Sequence, residues 1–151
     1  GSLTSQSGHV FHVTNTDAVI TLNDVKIVNE DSEKILLSVC ADGWSGGKNI
    51  ATLKASKQTL AGAVKVGNDS TLNLELSDGS SFEGSVDGKI SNAKGETVST
   101  EVGTVSVTLD STSTWTLSAD SYVTSFNGDA VNVTANGHTL YVNGVALTGT
   151  K

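Results

Sequence analysis

The chain has 151 residues, a formal net charge of −7 and nine basic residues, all of which are lysine. This length fits one domain with a substantial core. The acidic charge and the lack of arginine argue against nucleic acid and anionic membranes as partners. No apolar run approaches the length of a membrane span, so we expect no membrane insertion.

Residues 1–8 (GSLTSQSG) are polar apart from Leu3, and the opening Gly-Ser pair is typical of a cloning scar. They predict a disordered leader, after which residues 9–151 form a single domain. β-branched residues alternate with small polar ones through this domain, and proline is absent, which favours an all-β protein. Candidate strands bounded by Gly, Asn, Asp and Ser corners lie at 9–14, 34–40, 50–55, 59–66 and 84–90. Residues 87–103 lack alternation and predict a loop excursion from the domain.

One phrase occurs twice, as LNLELSDGSSF at 72–82 and as VSVTLDSTSTW at 105–115. Both copies have three alternating apolar residues, a polar corner and a second short strand. Looser copies occupy 18–28 and 130–142. A repeated unit that cannot bury its inner face alone is typical of a solenoid. The scarcity of aromatic residues favours stacked parallel coils over a β-sandwich.

We therefore predict a single-domain right-handed parallel β-helix, a solenoid of about six or seven coils, whose hand follows the usual preference of parallel crossovers. Alternation also assigns a set of side chains to the interior. These inward positions are Val19 or Ile20, Leu22, Leu37, Leu53, Leu72, Leu74, Val105, Val107, Leu109, Leu117, Val131 and Val133.

Three aromatic side chains are candidates for stacking on carbohydrate rings: Trp44, Tyr122 and Tyr141. Glycines surround Trp44 in the segment ADGWSGGKN, which predicts a loop. The alternative is that Trp44 folds back to cover the edge of a coil. For the two tyrosines, the sequence leaves two alternatives: display on the surface, or packing between rungs of the stack. Trp115 takes the position that Phe82 has in the other copy of the phrase, which favours core packing.

Aspartates recur at the predicted corners. They are Asp69, Asp78, Asp87, Asp110, Asp120 and Asp129. Stacked coils bring corner carboxylates together, and oxygen ligands on neighbouring rungs suit calcium. The alternative is that each carboxylate accepts hydrogen bonds from its own turn. We expect no cofactor, with calcium as the alternative.

Catalysis has little support in the sequence. His9, His12 and His138 have no glycine-elbow serine nearby. A polysaccharide lyase needs a basic side chain beside calcium that several carboxylates hold. Lys54 and Lys65 are candidates for that base, but neither lies near an obvious carboxylate cluster in the sequence. We therefore expect a non-enzyme, with a calcium-dependent, lyase-like enzyme as an alternative.

Three segments carry a resemblance to a known family: HVTNTDAVITLNDVKIVNEDSEKILLSVCADGWSGG (12–47), VSVTLDSTSTWTLSADSYVTSF (105–126) and NGHTLYVNG (136–144). They resemble the C-terminal part of large bacterial right-handed parallel β-helix proteins, which are adhesin-like or carbohydrate-binding surface proteins. The resemblance implies a non-catalytic, extracellular or cell-surface module, with any signal peptide outside the given sequence. Its implied partner is a polysaccharide or a host-surface glycan. A purely structural stalk or cap of a larger β-helix is the alternative.

The two ends of the predicted stack differ. The last segment, 136–151, remains apolar almost to its end, which predicts a closed final coil. Its apolar residues are Leu140, Val142, Val145 and Leu147. The polar residues 1–8 offer little cover for the first strand. Because open strand edges template association, we expect end-to-end self-association through the N-terminal coil.

Overall fold

The computed structural model describes residues 1–41, 48–91 and 95–151. These residues form 20 strands and one short 3₁₀ helix, Ala130–Asn132. The strands are β1 (Ser2–Ser5), β2 (Phe11–Val13), β3 (Thr16–Asn23), β4 (Lys26–Asn29), β5 (Ile35–Val39), β6 (Asn49–Ser56), β7 (Thr59–Ala61), β8 (Ala63–Val66), β9 (Thr71–Ser77), β10 (Ser81–Gly84), β11 (Val86–Asp87), β12 (Ile90–Ser91), β13 (Thr97–Ser99), β14 (Thr104–Leu109), β15 (Thr114–Leu117), β16 (Ser121–Val123), β17 (Ser125–Asn127), β18 (Val133–Thr134), β19 (Leu140–Val142) and β20 (Val145–Ala146). The prediction of an all-β protein is confirmed.

Three parallel sheets form the body of the structure. Sheet 1 contains β2, β5, β8 and β11, sheet 2 contains β3, β6, β9, β14 and β17, and sheet 3 contains β7, β10, β15 and β18. The chain visits them in turn, so that β5, β6 and β7 are followed by β8, β9 and β10. Smaller sheets pair β1 with β4, β12 with β13, and β19 with both β16 and β20. These stacked parallel sheets are compatible with a β-solenoid.

The two copies of the repeated phrase lie on neighbouring rungs. In sheet 2, β9 pairs with β14 and Leu72 aligns with Val105. In sheet 3, β10 pairs with β15 and Phe82 aligns with Trp115. Hydrogen bonds between rungs satisfy the backbone while matching side chains stack in the interior. The interpretation of the phrase as a rung is confirmed.

Most of the predicted inward side chains lie in one core that the three sheets share. The buried ones are Leu22, Leu37, Leu53, Leu72, Leu74, Val105, Val107, Leu109, Leu117 and Val133. Ile20 packs against this core, whereas Val19 is 65% exposed. The prediction for Val131 is wrong, because this residue is 43% exposed in the 3₁₀ helix. Asp129 caps that helix by accepting a hydrogen bond from the Val131 N–H, which interrupts the strand alternation just before β18.

The N-terminal residues differ from the predicted disordered leader. Ser2–Ser5 forms β1 alongside β4, with Leu3 aligned with Ile27. The backbone N–H of Lys26 also donates to the carbonyl of Gly1 at 3.0 Å. A polar segment is ordered here because the parallel ladder to β4 supplies backbone hydrogen bonds, which do not depend on apolar side chains.

The region 87–103 lengthens one circuit of the chain. Leu72 aligns with Val105, 33 positions later, whereas Ala51 aligns with Leu72, 21 positions later. The described part of this region contains the antiparallel pair β12–β13. At its start, a Cβ on Gly88 would lie 2.1 Å from the carbonyl oxygen of Glu101. Only glycine fits where the insertion leaves sheet 1.

Candidate functional site

Two of the three aromatic candidates lie side by side. Tyr122 on β16 aligns with Tyr141 on β19. Their rings stack with centroids 5.2 Å apart and an interplanar angle of 7°. Tyr122 is 41% exposed, and Tyr141 is partly buried. Trp44, the third candidate, lies outside the described residues.

A tight hairpin positions Tyr141. The strands β19 and β20 are antiparallel, and Val142 aligns with Val145 across the turn. Asn143 and Gly144 form this turn with φ values of 49° and 81°. Two consecutive positive φ angles are what a two-residue Asn-Gly hairpin requires. The turn folds β20 along the outer edge of β19, which fixes the strand that carries Tyr141.

The stacked tyrosines border a groove of about 470 Å³, termed here the tyrosine groove. Its polar lining includes Asp87, Lys89 and Asn143. Carboxylate, ammonium and amide groups hydrogen-bond to hydroxyls, while aromatic rings cover apolar C–H surface. A groove with both components has the chemistry that recognises a sugar ring.

The corner aspartates accept hydrogen bonds from nearby protein groups. Asp69 accepts from the Ser70 hydroxyl, Asp78 from the Ser56 hydroxyl, Asp87 from the Lys65 ammonium, Asp110 from the Thr112 hydroxyl, Asp120 from the Thr139 N–H and Asp129 from the Val131 N–H. Among the described residues, no group of three or more His, Cys, Asp or Glu side chains is placed to hold a metal ion.

Asp110 and Asp78 belong to one network that joins two corners. The Asp78 backbone N–H donates to Asp110 Oδ2 at 3.0 Å, and the hydroxyls of Thr112 and Ser113 donate to Oδ1 at 2.7 and 2.9 Å. These donors, the Thr112 hydroxyl above all, lower the pKa of Asp110 to about 2. Hydrogen bonds to the charged form thus keep this carboxylate ionised.

The two lysines considered as lyase bases have carboxylates on the next rung. Lys65 Nζ lies 2.9 Å from each carboxylate oxygen of Asp87. Lys54 on β6 aligns with Glu75 on β9. Lys65 thus forms an ion pair with Asp87, whereas Lys54 shares a register position with Glu75.

A second cluster joins residues that sequence reasoning did not bring together. The Nδ1 atoms of His9 and His12 each lie 2.6 Å from the Ser38 hydroxyl oxygen, and the two rings are 5.8 Å apart. Ser38 is 0% exposed. His12 aligns with Ser38 between β2 and β5. His12 and Ser38 each lie between two apolar residues, so alternation would have placed both side chains on the outer side of their strands. Only the register between β2 and β5 shows that the two side chains meet.

The comparisons with known proteins identify no relative of this chain. No family model matches the chain, and no curated protein or solved structure matches it. The resemblance to bacterial β-helix surface proteins therefore rests on the phrases quoted above. Across the described residues, no helix is long and apolar enough to cross a bilayer.

Proposed function

We propose that the chain is a non-catalytic, carbohydrate-binding module of a bacterial extracellular or cell-surface protein. We further propose that its stacked sheets form a right-handed parallel β-helix of about six or seven coils. The stacked pair Tyr122–Tyr141 in the tyrosine groove is the observation that carries the binding function. Its ligand class is a polysaccharide or a surface glycan.

The energetic reason lies in the aromatic pair. Stacking fixes each ring against its neighbour, so little side-chain freedom remains to be lost when a ligand binds. Tyr122 nevertheless keeps 41% of its surface exposed. Asp87 and Asn143 lie in the same groove and supply acceptors and donors for sugar hydroxyls. Calcium at the corner carboxylates remains the alternative cofactor proposal.

A glycan-array screen with and without calcium tests this function. We expect the wild-type chain to retain at least one glycan class, and Tyr122→Ala to weaken that binding by about tenfold or more through loss of aromatic contact. Tyr122→Phe keeps the ring and should bind within a few-fold of wild type. Val131→Ala changes an exposed side chain of the 3₁₀ helix, outside the groove, and serves as the control. Failure of the wild type to retain any glycan, with or without calcium, overturns the function. Calcium-dependent retention would support the calcium proposal.

A structural role through the N-terminal end of the stack is the second candidate. Within the described part of the chain, β1, β2 and β3 each pair on one side only, with β4, β5 and β6. Unpaired strand edges template pairing with another chain. Leu3 and Val19 add exposed apolar surface to these edge strands. We propose end-to-end self-association of two copies through this end.

Light scattering over a range of concentrations tests the association. We expect the weight-average mass of the wild type to rise with concentration and that of Val19→Lys to rise less, because charges on edge strands oppose pairing. Val145→Lys places the same charge on an equally exposed valine of β20, near the other end, and should behave as wild type. A mass that stays monomeric at every concentration contradicts the proposal.

A further inference from the structure

The histidine–serine cluster borders a cavity of about 1030 Å³ on the outer side of sheet 1. This imidazole cavity is lined in part by His9, His12, Glu33, Ser38, Lys65 and Lys89. Strand pairing builds much of that lining. His12 aligns with Ser38, and Ser38 aligns with Lys65, so consecutive rungs place these groups in one column.

Four basic side chains border this cavity, although the chain as a whole is acidic. The whole protein has nine lysines, three histidines and a net charge of −7. Two of the lysines and two of the histidines nevertheless border this one cavity. Glu33 is the carboxylate among the lining residues named above, and Asp87 pairs with Lys65 from the adjacent rung.

The hydrogen bonds around Ser38 define the neutral state of the cluster. A hydroxyl has one hydrogen, so Ser38 donates to the Nδ1 of one ring and accepts from the Nδ1–H of the other. Two neutral imidazoles satisfy this pattern. When both rings are protonated, both Nδ1–H groups donate to the Ser38 oxygen, whose two lone pairs accept them. The cluster therefore accommodates both charge states without losing these two contacts.

Charge on the cavity wall depends on that protonation. With neutral imidazoles, the ammonium groups of Lys65 and Lys89 lie near the carboxylates of Glu33, Asp87 and Asp31. Two imidazolium groups add two positive charges, which are close together because the rings are 5.8 Å apart. An anion in the cavity would reduce their repulsion.

We propose that the imidazole cavity is an anion-binding site that fills at acidic pH and takes an oxyanion group: a carboxylate, a sulfate or a phosphate. The site is separate from the tyrosine groove, although Lys89 borders both. It binds an anion through the added positive charge of the two imidazoles, and it releases the anion when they become neutral.

The titration of His9 gives the sign of the pH dependence. Burial, followed by the charge of His12, lowers the pKa of His9, while the carboxylates of Glu33 and Asp31 oppose this shift. An unperturbed histidine has a pKa of about 6.5. His9 therefore charges below that range, and a bound anion, by favouring the imidazolium form, raises its pKa. Binding is thus favoured as pH falls, with Lys65, Lys89, Asp87 and the Cys40 thiol as the other titratable groups nearby.

Titration calorimetry with inorganic sulfate and with glucuronate, at pH 5.0 and 7.5 and constant ionic strength, tests the site. We expect at least one probe to bind roughly tenfold or more tightly at pH 5.0, because positive charge is added beside the ligand. Preference for glucuronate would indicate a sugar acid as the natural source, and preference for sulfate a sulfate ester or a free ion.

The double variant His9→Gln and His12→Gln should lose this pH dependence while remaining folded by circular dichroism. His138→Gln alters a partly buried histidine beside Asp120, outside the cavity, and should bind as wild type. Equal affinity at both pH values, no binding of either probe at pH 5.0, or pH-dependent binding that survives in the double variant would each overturn the proposal. Inorganic sulfate has no ring that could stack on the tyrosines, so Tyr122→Ala should leave its pH-dependent binding unchanged, whereas glucuronate binding that Tyr122→Ala abolishes belongs to the tyrosine groove.

Discussion

Replacing Trp115 by alanine is expected to lower the free energy of unfolding by about 3–5 kcal/mol. The Trp115 side chain is 0% exposed and stacks on Phe82 of the preceding rung, with ring centroids 5.5 Å apart. Its indole N–H donates to the carbonyl of Gly84 at 3.0 Å. Alanine would leave a cavity in the core that the sheets share, and it would remove one of the two hydrogen bonds that the Gly84 carbonyl accepts, the other coming from the Ser118 N–H.

Urea denaturation followed by far-UV circular dichroism measures this loss. Trp115→Phe keeps a ring against Phe82 and loses mainly the hydrogen bond and part of the volume, so we expect a smaller cost of about 1–2 kcal/mol. Thr114→Ala changes the exposed neighbour on β15 and should stay within about 0.5 kcal/mol of wild type. A loss below about 1 kcal/mol for Trp115→Ala would contradict the packing described here.

The pairing of Phe82 with Trp115 shows which features of the fold the sequence predicts. Period-two alternation identifies the inward face because side chains on a strand alternate between its two sides. The repeated phrase then identifies neighbouring rungs because stacked columns need similar side chains at equivalent positions. Both inferences use information that is local or repeated, and both agree with the structure at Leu72–Val105 and Phe82–Trp115.

Other features depend on information that alternation does not contain. Residues 59–66 read as one strand, but Gly62, with a φ of 126°, divides them into β7 and β8 on different sheets. The β12–β13 pair changes the circuit length, so register between rungs cannot be counted from one fixed repeat. Val131 has an apolar side chain in an alternating context, but the Asp129 cap places it in a helical turn.

The candidate sites also combine features that local sequence predicts with features that depend on strand pairing. The aromatic residues could be named from their chemistry, but the stack of Tyr122 on Tyr141 depends on the pairing of β16 with β19. The contact of His12 with Ser38 likewise depends on register across 26 positions. Strand pairing is non-local, so such clusters become visible only in three dimensions.

Gln58 is the site of the second large effect. This side chain is 2% exposed. Its amide makes the two hydrogen bonds to the Val25 backbone that a neighbouring strand would otherwise make. Its Oε1 accepts from the Val25 N–H at 2.9 Å, and its Nε2 donates to the Val25 carbonyl at 2.6 Å. The Gln58 backbone N–H donates to the buried Ser80 hydroxyl at 3.1 Å. One amide thus satisfies both backbone groups of Val25 and links the chain before β4 to the corner before β7.

We expect Gln58→Leu to cost about 1–3 kcal/mol, because the leucine retains most of the volume but leaves two backbone groups of Val25 without this partner. Hydrogen exchange should show the Val25 amide losing protection in this variant, and urea denaturation should give the loss of stability. Gln6→Leu makes the same chemical change at an exposed glutamine and is the matched control, expected within about 0.5 kcal/mol of wild type.

Gln58→Glu separates the hydrogen bonds from the packing. A glutamate accepts from the Val25 N–H but, when ionised, cannot donate to the Val25 carbonyl, and burial penalises its charge. Its folded-state pKa should therefore be raised above the unfolded value of about 4.3. The protonated carboxyl restores a donor, so the variant should be closest to wild type at low pH and lose stability as pH rises through the raised folded-state pKa. Gln58→Glu with the same stability difference from wild type at pH 4.0 and pH 7.5 would contradict the role assigned to this amide.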